Sequence, residues 1–142
     1  MVSFDPWSCT VYNEDMSGLA ISLLGPLQIT LYGRPVDRFS VASAQALLAY
    51  LVMAPERSHH REALAALFWP GSPRVEGLRN LRQALQGMRD AIDDRTLDAP
   101  FVQVTRQTLR INPTADYWLD VALFDSLIKA TKEHRHRRLV GC

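Results

Sequence analysis

The chain has 142 residues, 47% apolar and 22% charged, with a formal net charge of +1. Such a length supports one ordinary domain whose core needs neither metal nor disulfide, and the composition excludes the disordered, collagenous and disulfide-scaffold classes. The longest apolar run, Ala46 to Ala54, is nine residues, and a bilayer span needs roughly 20.

Residues 1–17 mix Asp, Pro, Ser, Asn and single aromatics without period, and they carry neither the basic start nor the apolar stretch of a signal peptide. They predict a mobile leader. With cysteines only at Cys9 and Cys142, the expectation is a cytoplasmic protein with reduced thiols and no membrane partner. From Leu19 the apolar pattern has period two: Leu19, Ile21 and Leu23, then Leu27, Ile29 and Leu31. Gly25-Pro26 and Gly33-Arg34-Pro35 punctuate it, so an antiparallel meander with a short third strand near Val36 is predicted.

Ser40 is the expected cap of a helix to about Ala54, and Leu47, Leu48, Leu51 and Val52 predict burial on nearly every side. After Pro55, Ser58 is the expected cap of a short helix with Leu64, Leu67 and Phe68 on one face, stopped by Trp69-Pro70-Gly71. Ser72-Pro73 then reads as a cap followed by proline at the first helical position of a long helix to about Asp93. Its apolar residues Leu78, Leu81, Leu85, Met88 and Ile92 recur at three and four, which makes one core-facing stripe. Phe101 to Val104, a polar turn over 105–108 and Leu109 to Ile111 predict a β-hairpin. Beyond Pro113, Asp120 is the expected cap of a last helix with Val121, Phe124, Leu127 and Ile128 inward, followed by the charged run Lys129 to Arg138.

The net charge conceals an uneven distribution. Residues 1–56 hold two arginines against five acids, whereas 57–110 hold nine arginines, no lysine and six acids. Guanidinium suits phosphate, so an anionic partner is expected in the middle of the chain. At about 100° per residue, Arg79, Gln83, Gln86 and Asp90 fall opposite the leucine stripe of the long helix. Arg82 and Arg89 lie on one flank, Asn80 and Gly87 on the other. Arg pairs bidentately with guanine and Gln or Asn with adenine in the major groove, and flanking arginines suit phosphates. A short helix, a break, a long polar-faced helix and a hairpin with Arg106 at its tip follow helix-turn-helix order with a wing.

Four segments, Leu19-Ala-Ile-Ser-Leu-Leu-Gly-Pro-Leu27, Ala46-Leu-Leu-Ala-Tyr-Leu51, Arg61-Glu-Ala-Leu64 with Leu67-Phe-Trp-Pro70, and Leu78-Arg-Asn-Leu-Arg-Gln-Ala-Leu85, resemble the AfsR/SARP group of bacterial regulators over about residues 19–113. The resemblance implies an α+β winged helix of the OmpR/PhoB type, with an N-terminal antiparallel sheet, a three-helix core and a hairpin wing. It implies Arg79, Asn80, Arg82, Gln83, Gln86 and Arg89 on the DNA side of the recognition helix, and Arg106 in the wing. It also implies sequence-specific binding of double-stranded DNA, RNA polymerase as a further partner, and self-association on direct-repeat operators. Ala42-Ser-Ala44 departs from relatives that carry a basic residue before the central helix. The domain expectation is a leader over 1–17, the winged helix over 18–113, and over 114–142 a linker and the first helix of a truncated helical activation domain.

No P-loop, nucleophile elbow or carboxylate pair points to an enzyme, and no cofactor is expected. His59-His60 reads as solvent-exposed or capping. His134, His136 and Cys142 lack a fourth zinc ligand, so no metal site is expected. The alternative left open is a winged-helix protein-interaction module that does not bind DNA.

Overall fold

A computed structural model describes residues 18–94 and 100–133. The leader over 1–17, the histidines and cysteine at 134, 136 and 142, and the end of the basic run lie outside the described residues. Period-two alternation produces β1 (Leu19–Ser22) and β2 (Gln28–Leu31), antiparallel with Leu19 opposite Leu31 and Ile21 opposite Ile29. Their inward residues are buried, so a register slip would turn the apolar set toward water. A two-residue turn leads into β3 (Arg34–Pro35). Tyr32 and Gly33 there have φ of +49° and +77°, the mirror-image turn whose twist matches paired strands.

Three helices, α1 (Ala42–Met53), α2 (Arg61–Phe68) and α3 (Arg74–Ala91), share the core with the inward residues of the strands. Ala44, Leu47, Leu48, Leu51 and Val52 of α1 pack against Leu64 of α2 and Leu81, Ala84, Leu85 and Met88 of α3. Gly87 lets α1 and α3 approach closely: a Cβ there would lie 3.1 Å from Ser40 Oγ and 3.5 Å from Ala44 Cβ.

None of the three expected serine caps forms. The α1 cap position is Val41, with no side-chain cap bond, and Ser40 sits against Gly87 instead. At α2, His59 and His60 form a short strand, β4, and α2 starts only after it. At α3 the cap position is Pro73, which has no polar side chain to cap with, and the Ser72 amide closes the preceding turn on the Trp69 carbonyl. Leu67, expected on one face with Leu64 and Phe68, is exposed, and α2 turns Leu64 and Ala65 inward.

The predicted hairpin is β5 (Val102–Val104) and β6 (Thr108–Ile111), and β4 pairs with β6 to make a three-stranded sheet in the order β4-β6-β5. The segment expected as a linker contains a strand, β7 (Tyr117–Leu119), which runs parallel to β1 and completes a four-stranded sheet. Helix α4 (Asp120–Glu133) follows; Val121 packs on the core, whereas Phe124 and Leu127, expected inward, are more than half exposed.

Asp120 does more than start α4. Its carboxylate accepts bonds from the Leu23 amide (2.9 and 3.0 Å), the Leu24 amide (2.9 Å) and the Val121 amide (2.8 Å), which ties the β1–β2 turn to α4. Charge-assisted bonds to backbone amides are strong, so Asp120→Ala is expected to lower unfolding free energy by about 2 kcal/mol. A lower urea midpoint with an unchanged m-value would show it. An unchanged midpoint would mean that water replaces the carboxylate at no cost.

Candidate nucleic-acid interface

Helix α3 divides sharply by exposure. Gly77, Leu81, Ala84, Leu85, Met88 and Ala91 are buried, with Ile92 just beyond the helix, and Arg79, Arg82, Gln83, Gln86 and Asp90 are exposed on the other side. The burial follows from the three-and-four spacing of the leucines, which fixes the helix rotation and so aims the polar residues outward. Leu78 sits between the two zones, half-buried and packed against the core.

Two of the expected site residues have different surroundings. Asn80 is half-buried. The Arg89 side chain is only 26% exposed, and its Nε donates to Asp94 Oδ2 at 3.3 Å. Asp94 is itself buried and accepts the Phe101 amide at 2.5 Å. This triad joins the end of α3 to the strand that opens the wing. Burial pushes the Asp94 carboxyl above its ordinary value, and the Phe101 amide and the Arg89 charge only partly offset that.

Between the start of α2, the first half of α3 and the wing tip lies an open cleft of about 490 Å3. Its walls bring Arg82 and Arg106 together with three basic or polar residues that the helical wheel did not select: His60, Arg61 and Arg74, with Gln107 beside Arg106. Glu62 is the acid in this wall. It forms an exposed ion pair with Arg74, whose hydrogen bond and charge hold the Glu62 carboxyl below its ordinary value, while Glu62 raises Arg74 in turn. Four guanidiniums against one carboxylate leave the cleft positive, the sign that attracts phosphate. Arg74 was legible as the first residue after Pro73, and Arg61 stood in a motif already singled out. Neither lies on the α3 face opposite the leucines.

The wing turn is bonded internally. Thr105 donates its amide to the Thr108 carbonyl at 2.9 Å, and its Oγ1 accepts from the Gln107 and Thr108 amides at 3.2 and 2.9 Å. Arg106 is exposed at its apex. His59, by contrast, points into an aromatic run: its ring lies 5.3 Å from that of Tyr50, which meets Phe68 edge-on at 5.8 Å. Among the described residues no group of three or more His, Cys, Asp or Glu is placed to hold a metal ion, and no helix is long and apolar enough to cross a membrane.

No protein-family model matches the chain, and no curated protein matches it. Among solved structures it is similar to Mycobacterium tuberculosis EmbR, determined in complex with a low-affinity phosphopeptide, with a TM-score of 0.57 and 24% sequence identity. The likeness covers 71% of this chain and 27% of that one, so the chain spans about a quarter of EmbR's length. At that identity the likeness shows the fold alone, a mixed α+β winged helix.

Proposed function

We propose that this chain binds double-stranded DNA sequence-specifically in transcription regulation, with α3 in the major groove and the wing on the adjacent groove or backbone. The observation that carries the reading is the exposed face of Arg79, Arg82, Gln83 and Gln86, continuous through Arg82 with a cleft that also holds wing-tip Arg106. An 18-residue helix is about 27 Å long at 1.5 Å per residue, and the major groove, roughly 12 Å wide, admits one helix lengthwise. Arg79, Gln83 and Gln86 read base edges, with Asn80 at the margin. Arg82, Arg74 and Arg106 hold phosphates. Arg89 braces the helix against the wing through Asp94 as well as flanking the interface. A SARP-like fold agrees with a regulator rather than an enzyme. RNA polymerase and a second copy on a direct repeat are the partners that the same reading brings.

The test is selection of a binding site from randomised duplexes, followed by affinity measurements on the selected and scrambled sequences. Arg79→Ala and Gln83→Ala are each expected to cost about 1–3 kcal/mol on the selected site and to relax base preference, while Arg82→Ala weakens all sequences alike. Failure to enrich any sequence, or equal losses for all three variants on every duplex, would overturn the assignment and favour the protein-interaction module.

A further inference from the structure

Arg61 opens α2 at the edge of the cleft, beside the reading face of α3 and not on it. We propose that Arg61 is the positioning residue that holds the wing tip, and with it Arg106, in the pose that meets DNA; this rests on the DNA-binding reading above. The β4–β6 ladder ends at His60 opposite Thr108. Past that point Arg61 continues the connection with both its backbone and its side chain. Its amide donates to the Gln107 carbonyl at 2.8 Å, which gives the first turn of α2 a partner for an amide that the helix itself cannot satisfy. Its guanidinium donates through Nε and Nη2 to the Thr105 carbonyl at 3.1 and 2.7 Å.

Both residues flanking Arg106 are therefore fastened to Arg61, while the turn's remaining bonds are internal and move with it. The fork is spent on a backbone carbonyl. Two parallel donors on one acceptor fix direction as well as distance, which the single point charge of lysine does not reproduce. Lysine in place of Arg61 keeps the charge and loses the fork, so it separates positioning from direct phosphate contact.

The experiment measures Kd against salt for the wild type, Arg61→Lys, Arg106→Ala and the double variant on one duplex, together with the heteronuclear NOE of the Arg106 and Gln107 amides in the free proteins. Arg106→Ala is expected to lower the slope of log K against log salt by about 0.9, one phosphate contact. Arg61→Lys is expected to lower it by about as much despite its conserved charge, and the double variant by no more than either alone. The NOE of both amides should fall in Arg61→Lys. An unchanged NOE, or additive losses in the double variant, overturns the proposal. A wild type that binds no duplex while the NOE still falls in Arg61→Lys defeats the DNA-binding reading and, with it, the purpose assigned to the clamp, leaving only a fastened wing.

Discussion

Replacing Asp94 with alanine is expected to lower unfolding free energy by about 3 kcal/mol, the lower end of the range for removing one partner of a buried charge pair. The lower end applies because Arg89 keeps 26% of its side chain in solvent and can rehydrate. The Phe101 amide cannot, since Phe101 is 3% exposed and the amide's acceptor is the Asp94 carboxylate. Asparagine is expected to cost much less, because it keeps an acceptor for that amide without a buried charge. The same site predicts a pH dependence. A carboxyl whose pKa is raised by folding binds its proton more tightly in the native state, so its contribution is full below the unfolded value of about 3.9 and declines as pH rises through the raised value. Above that window the burial penalty is constant. Wild-type stability should therefore fall across the window and Asp94→Asn should not, as chemical denaturation at stepped pH would show. A wild type and an asparagine variant with parallel profiles would contradict the burial account.

Changing Arg79, Arg82 and Arg106 together to alanine is expected to weaken binding to any duplex on the order of 100-fold or more at 0.1 M salt, since the proposed DNA-binding reading gives each of them a charge contact to the duplex. The three lie on the exposed face of α3 and at the wing apex, so the fold should survive and the thermal midpoint should stay close to that of the wild type. The affinity loss should shrink as salt rises. A loss that is independent of salt would mean that the arginines act through structure instead of charge.

Much of this architecture was legible because it rests on local pattern. The alternation from Leu19 to Leu31, the leucine stripe of α3 and the turn over 105–108 each dictate their element without reference to distant residues. What the residues alone did not reveal is long-range. Tyr117 to Leu119 is too short to show a period, and its partner is β1, almost a hundred residues away. His59 and His60 become a strand only because β6 is there to pair with them, and that pairing displaces the expected cap at Ser58. Phe124 and Leu127 follow helical spacing faithfully, yet among the described residues more than half of each stays exposed. The candidate site divides in the same way. The helical wheel located Arg79, Gln83 and Gln86 on the exposed face with Arg82 on its flank, because rotation about one axis decides exposure. It could not show Arg89 turning to Asp94, nor Arg61 and Arg74 joining Arg106 across the cleft, because those contacts depend on how three elements pack.

The most direct measurement is fluorescence anisotropy of the folded wild-type chain with a random-sequence duplex across a salt series. Arg74, Arg82 and Arg106 around the cleft, the three guanidiniums assigned to phosphates, predict binding at low salt and a slope of log K against log salt of about −3, at about 0.9 per phosphate contact. No binding at low salt, from protein shown to be folded, would contradict the account and leave a winged helix whose polar face meets another protein.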